Sequence, residues 1–227
     1  MSTSLAAPNT TPSAQPGTRP LESPALNGTI PVSERELGHA REHVDVAPPP
    51  CLRLPYGRCL VVLAGVPGAG KTTLLHQVTA DVPTICLDSE QVTDRLRTYL
   101  PRVRYPRLRP LVHLLHFGRI VTHSLSGRAS VLAHAPATSR AKRLALLGIA
   151  TITGRTPVLV WLHATPEDAL RGQHDRGRTL PASSFRRHSH RGRRITRRLQ
   201  QGQPPRGWTA HLLTRGQVTR GLHLTTT

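Results

Sequence analysis

The nonapeptide GVPGAGKTT at residues 65–73 constrains this chain more than any other stretch. It follows the apolar run Cys59-Leu60-Val61-Val62-Leu63-Ala64 and precedes Leu74-Leu75, so a buried strand must turn tightly into a helix. Gly65, Val66, Pro67, Gly68, Ala69, Gly70, Lys71 and Thr72 match G-x-x-x-x-G-K-[ST], whose glycines let backbone N–H groups converge on phosphate oxygens. The helix that follows aims its positive dipole end at the same point. In such a loop Lys71 reaches the β- and γ-phosphates of ATP, the Thr72 hydroxyl holds Mg²⁺, and Thr73 stands beside it in the first helical turn. The chain has 31 basic residues, of which only Lys71 and Lys142 are lysine. A compact ammonium on a thin stem fits inside a ring of amides where a planar guanidinium does not.

Around this loop, short β-branched apolar runs alternate with longer helical stretches, the pattern of an α/β domain with a parallel sheet covered by helices. Strands are expected at 59–64, 83–88, 130–135, 157–164 and 209–214. Helices are expected at 71–80, 89–99, 107–126, 140–153, 166–172, 184–200 and 216–222. Residues 1–50, rich in Pro, Ser, Thr and Ala, cannot bury enough apolar surface to offset ordering and are expected to be a disordered tail ahead of a 51–227 domain. Within the tail, Ser33 to His43 could form a short helix capped by Ser33, polar on all sides.

Charge follows the same division. Residues 1–50 hold three Arg and five acids, which leaves 28 basic residues against seven acids in the rest, a net charge of +21 there. Such a domain attracts polyanions, nucleic acid among them, although an arginine-biased composition gives the same excess and the aromatic residues needed for base stacking are few. Cys51, Cys59 and Cys86 form neither a C-x-x-C pair nor an even set, so a reducing cytoplasm fits better than a disulfide framework or a zinc site. No apolar run approaches the roughly 20 residues of a membrane span, and the N-terminus lacks a signal-peptide pattern.

Two further motifs carry chemistry. Leu87-Asp88-Ser89-Glu90 ends the second strand, and in an open parallel sheet the ligand crevice lies at the strands' carboxyl ends. Asp88 there can act as general base on an acceptor hydroxyl, or order the water around Mg²⁺, or cap the next helix, with Arg95 one to two turns on within reach of an acceptor. Arg171-Gly172-Gln173-His174-Asp175-Arg176-Gly177-Arg178 sets three arginines among glycines, either a cationic lid that closes over ATP and neutralises charge on a moving phosphoryl group or a solvated charge run. By contrast, Thr165-Pro166-Glu167-Asp168 reads as a helix start, with a cap Thr, a first-turn Pro and acids behind them. His113 and His116 on a Leu-rich stretch read as hydrogen-bonded core residues, and His188 and His190 as part of a basic helix.

With the loop, LDSE and RGQHDRGR in this order, the chain from about Tyr56 to Leu222 resembles the small P-loop kinases classed as AAA-family ATPases. That cluster includes zeta toxins, polynucleotide 5′-hydroxyl kinases and gluconate-kinase-like enzymes, and the chain is most similar to bacterial ATP-binding proteins with a D-S-E step after strand two. The resemblance implies a five-stranded parallel sheet, ATP with Mg²⁺ and an arginine-bearing lid. It carries the phosphate loop onto Gly65 to Thr72, the strand-two acid onto Asp88, and the lid arginines onto Arg171, Arg176 and Arg178. Such kinases place an Asp at the end of strand three, where this chain reads Ala133-His134-Ala135-Pro136, and often an acid before the arginine that here ends Leu213-Thr214-Arg215. The expected activity is ATP-dependent phosphoryl transfer to an acceptor hydroxyl. The alternatives are a nucleotide-binding module without fast turnover, or an Arg-rich nucleic-acid-binding protein with a regulatory ATP site.

Overall fold

The computed structural model describes residues 48–175, 177 and 179–226. The expected tail, apart from residues 48–50, and the helix expected at Ser33 to His43 lie outside the described residues. Along the chain run β1 (Cys51–Leu54), β2 (Cys59–Gly65), α1 (Lys71–His76), β3 (Val78–Ala80), β4 (Thr84–Leu87), α2 (Ser89–Tyr99), α3 (Tyr105–Ser126) and β5 (Ser130–His134). They are followed by α4 (Arg140–Ile152), β6 (Thr156–His163), α5 (Pro166–His174), α6 (Ala182–Gln200), β7 (Thr209–Thr214) and β8 (Leu222–Thr226).

The central sheet has five parallel strands in the order β4-β5-β2-β6-β7. All seven residues of β2 are buried because the strand is covered on both faces, which is why it reads as an unbroken apolar run. Its side chains still alternate. Val61 and Leu63 pack with Leu74 and Leu75 of α1 and Ala169 of α5 on one face. Leu60, Val62 and Ala64 pack with Ile120 of α3, Leu146 and Ile149 of α4 and Ile195 of α6 on the other. Val92, Leu108 and Val112 join α2 to α3 in a smaller cluster.

Two expected helices are wrong, and both errors belong to one unforeseen element. The helix expected over 71–80 stops at His76, and Val78–Ala80 forms a strand. The helix expected over 216–222 is a series of turns closing at Gly221 (φ 96°), after which the chain becomes β8. β8 pairs in parallel with β1 on one side and β3 on the other, a three-stranded sheet of order β1-β8-β3. The β-branched Val78 and Thr79 are poor helix formers, and tertiary pairing decides their state. A side chain at Gly221 would place its Cβ 2.3 Å from the Gln77 carbonyl, so the turn into β8 needs glycine to lie against the end of α1.

Candidate active site at the carboxyl edge of the sheet

The loop between β2 and α1 is bent by glycines that no other residue replaces easily. Gly65, Gly68 and Gly70 all have positive φ (151°, 89° and 94°). A Cβ at Gly65 would lie 2.5 Å from the Leu162 carbonyl oxygen, and one at Gly68 would lie 1.9 Å from that of Ala169. The loop is thus held by backbone contact with the end of β6 and with α5. Lys71 is buried, and its ammonium donates back into the loop, 2.8 Å from the Val66 carbonyl oxygen. Thr72 is buried beside it in the first turn of α1, followed by Thr73. Gly70 caps that helix in left-handed conformation, so its amides open toward the bend. An apolar cavity of about 150 Å³ adjoins Val66, lined by Trp161 and His163 of β6 and by Ser189, Gly192 and Thr196 of α6.

Asp88 and His134 emerge side by side because their strands are in register. Leu87 of β4 stands opposite Ala133 of β5, and His134 stands opposite Leu63 of β2, two residues before the loop opens. Asp88 is almost fully buried (1% exposed) and its Oδ1 takes several donors. His134 Nδ1 lies 2.8 Å away, the Glu90 amide donates from 3.1 Å, and the Ser89 hydroxyl from 3.4 Å. Oδ2 has no hydrogen-bond partner among the described residues. Burial alone would raise the Asp88 pKa, but the hydrogen bond and charge of His134, the Glu90 amide and the His116 charge outweigh it and bring the carboxyl down to about 2. The carboxylate therefore both caps α2 and pairs with an imidazole.

Behind the pair stands α3. His116 Nε2 lies 2.9 Å from the His134 carbonyl oxygen, and Nδ1 is buried without a partner among the described residues. Burial pushes its pKa down to about 4, so the ring is neutral at physiological pH and donates through Nε2. Arg119 donates to the Asp88 carbonyl oxygen (3.4 Å) and to Gln91 Oε1 (2.8 Å), which fixes the start of α2 against α3.

The basic segment is divided by the fold. Arg171 lies within α5, which runs two residues beyond its expected end, and it is exposed and paired with Asp168. Arg176 and Arg178 lie outside the described residues. Thr165 accepts from the Asp168 amide at 3.1 Å, the expected helix start. Two residues to which the sequence assigned no role tie this region to the loop. Gln173, buried in α5, donates to the Pro67 carbonyl (3.3 Å) and accepts from the Leu180 amide (3.0 Å), so it links the phosphate-type loop to the chain that returns toward α6. Arg215 donates to the Asp168 carbonyl (3.3 Å), and its Nε lies 3.7 Å from where a Cβ on Gly70 would be. Sequence offers no signal for Gln173. Arg215 was visible only as the arginine after β7.

A second electrostatic feature lies on α6. Arg187, Arg191, Arg194 and Arg198 are exposed along it, and none of the ion pairs among the described residues involves the helix. His188 is pushed to lower pKa by burial and then by Lys142, Arg191, Arg109 and Arg187, so cations from α3, α4 and α6 converge there.

A parallel five-stranded sheet with a glycine-bent, lysine-bearing loop between its central strand and the next helix defines a P-loop nucleotide-binding protein of kinase-like type. The chain belongs to the AAA domain family, whose model matches residues 60–201. Among solved structures it is similar to a Chloroflexus aurantiacus protein described as a kinase (14% identity, 70% of this chain and 89% of that one, TM-score 0.50), a likeness that shows the fold. It also matches a gluconokinase from Sinorhizobium meliloti (18% identity, 71% and 84% covered, TM-score 0.39). The PezAT toxin–antitoxin structure of Streptococcus pneumoniae matches as well (14% identity, 71% and 69% covered, TM-score 0.48). No curated protein matches the chain. Among the described residues no helix is long and apolar enough to cross a membrane, and no cluster of three or more His, Cys, Asp or Glu could hold a metal.

Proposed function

We propose that the protein is an ATP-dependent phosphotransferase acting on an acceptor hydroxyl. The observation that carries this reading is the buried Lys71 ammonium folded into a loop of positive-φ glycines, with an acid after β4, two strands away on the same edge of the sheet. The donor set fits ATP with Mg²⁺: backbone amides of residues 65–72 other than Pro67 for phosphate oxygens, Lys71 for the β- and γ-phosphates, and the Thr72 and Thr73 hydroxyls at the first turn. Mg²⁺, when bound through Thr72 and phosphate oxygens, supplies charge neutralisation. Arg171, Arg176 and Arg178 serve as lid cations around the triphosphate, with Arg176 the candidate for charge on the transferred group. Asp88 serves the acceptor side, where the carboxyl ends of β4 and β5 meet.

Residues 51–227 form the ATP-binding domain in this reading, residues 1–50 a disordered tail, and the free cysteines accord with a cytoplasmic setting. A second reading, nucleic-acid binding, is favoured by the cationic face of α6, which makes no ion pair among the described residues, and would make the acceptor a 5′-hydroxyl end rather than a small molecule. A binding module without fast turnover is the third. A screen with γ-labelled ATP against 5′-hydroxyl oligonucleotides, nucleosides, sugars and antibiotics separates them. Label transferred to one acceptor class supports the phosphotransferase, whereas ATP binding with no transfer to any acceptor or to water contradicts it.

A further inference from the structure

We propose that Arg109 and His113 of α3, Lys142 of α4, and His188 and Arg191 of α6 form an anion subsite that holds a phosphate group carried by the acceptor. The inference rests on the phosphotransferase reading and narrows its acceptor to a phosphorylated small molecule with a free hydroxyl. The fold brings these residues to one edge. α4 leaves β5 at the carboxyl edge of the central sheet, while α3 and α6 lead into β5 and β7 at the amino edge, so their first halves lie toward the carboxyl edge as well. Arg143 donates to the Ala137 and Thr138 carbonyls (2.8 and 3.1 Å), and the buried Thr138 hydroxyl meets His188 Nδ1 at 3.0 Å, which fixes α6 on the loop after β5. In that loop Ala137 has a positive φ of 38°, and no other non-glycine among the described residues does. Such strain persists where surrounding contacts impose it, and it clusters at ligand sites. The Ala135 amide donates to the Leu63 carbonyl at 3.1 Å, two residues before the phosphate-type loop opens. Gly192, next to Arg191 and one turn beyond His188, lies against Val66 of that loop, where a Cβ would stand 2.4 Å from Cγ1. The cluster therefore borders the loop assigned to the triphosphate.

What gathers there is charge without a counter-charge. Residues 95–166 contain no Asp or Glu, and none of the ion pairs among the described residues includes a member of the cluster. Burial pushes the His113 and His188 imidazoles to lower pKa, and Lys142 and Arg109 push both further in the same direction. Arg191 and Arg187 add to the effect on His188. Lys142 is itself lowered by burial and then by Arg109. Like charges brought together and partly desolvated carry a free-energy cost that a bound anion removes. Two arginines, a lysine and two imidazoles converging from three helices suit one compact dianion, with the guanidinium groups for paired contacts and the ammonium as a point charge. An extended polyanion would instead lie along the row Arg187, Arg191, Arg194 and Arg198 on α6.

The test reads the subsite with inorganic phosphate. In ¹⁵N-labelled protein loaded with Mg²⁺ and a non-hydrolysable ATP analogue, phosphate should shift the His113 and His188 imidazole signals saturably and raise both pKa values. Lys142→Gln and Arg109→Gln should each weaken that binding roughly tenfold, and Arg194→Gln should leave it unchanged. Among acceptors offered γ-labelled ATP, sugar phosphates and nucleotides should exceed their parent sugars and nucleosides in kcat/KM by roughly tenfold or more. Imidazole signals that do not saturate with phosphate, or phosphate affinity unchanged in both Lys142→Gln and Arg109→Gln, overturns the subsite. A single-stranded oligonucleotide whose binding is weakened as much by Arg194→Gln as by Lys142→Gln overturns the compact site in favour of a nucleic-acid track. Label transferred equally well to unphosphorylated acceptors overturns the acceptor role. Absence of transfer to every acceptor overturns the phosphotransferase reading, a distinct failure because the phosphate titration reads the cluster without turnover.

Discussion

The two ends of the central sheet both bury charge, but they satisfy it differently. At the amino edge, Arg155 just before β6 is 3% exposed and spends its guanidinium on backbone carbonyls of Ser124 (2.9 Å), Ala129 (2.7 Å), Gly127 (2.8 Å), His123 (3.2 Å) and Cys59 (3.4 Å). That cation is saturated and ties α3, β2 and β6 together. At the carboxyl edge, Asp88 Oδ2 and His116 Nδ1 remain without hydrogen-bond partners among the described residues, and positive-φ glycines bend the loop around an ammonium. Saturated polar groups stabilise a fold, whereas enclosed, unsatisfied ones mark places where a ligand or a proton completes the arrangement.

The largest effect should come from the saturated end. Arg155→Met leaves several buried carbonyls without donors, and about 3 kcal/mol or more of stability should be lost in urea denaturation. Nucleotide affinity of the remaining folded protein should be unchanged. If ATP affinity falls as steeply as stability, the two ends are coupled and the contrast fails.

Acid should act on the other end in two stages. His116 is depressed from 6.5 to about 4 in the fold by burial, so the stability it contributes is present above its unfolded pKa and declines as pH falls from about 6.5 to 4. Asp88 is depressed from 3.8 to about 2, so its contribution is intact above about pH 4 and declines between roughly pH 4 and 2. At about 1.4 kcal/mol per unit, the His116 limb is on the order of 3 kcal/mol and the Asp88 limb about 2 kcal/mol. His116→Asn should flatten the upper limb alone in a pH series of denaturant midpoints. An unchanged upper limb would mean that His116 does not titrate as its burial demands.

The smallest effect should follow removal of residues 1–50, whose composition offers little apolar surface for burial. Melting temperature and ATP-induced stabilisation should both be unchanged. A truncated protein that aggregates or no longer responds to ATP would move the domain boundary into that segment.

Features encoded by short-range sequence signals were legible, and those that depend on long-range pairing were not. The five strands of the central sheet stand within a residue or so of their expected positions because each is a buried β-branched run bounded by turns. β1, β3 and β8 were missed because four, three and five residues carry little periodicity, and their pairing joins segments over 140 residues apart in the case of Val78 and Leu222. The phosphate-type loop was legible because its function is local, in consecutive residues. The Asp88–His134 couple was not, since it depends on the register between β4 and β5, and the sequence showed only that an acid was missing after strand three. Gln173 and Arg215 likewise act through tertiary approach to the loop, and no local pattern announces either.

The central claim is that the glycine-bent loop around Lys71 binds the triphosphate of ATP. Thermal denaturation with increasing ATP and Mg²⁺, for wild type and Lys71→Ala, tests it directly. A ligand that binds only the folded state at about 100 times its dissociation constant stabilises it by roughly 2.7 kcal/mol. The wild type should show that gain, and Lys71→Ala should lose nearly all of it. Equal stabilisation of the two proteins by ATP, or none in the wild type, would contradict it.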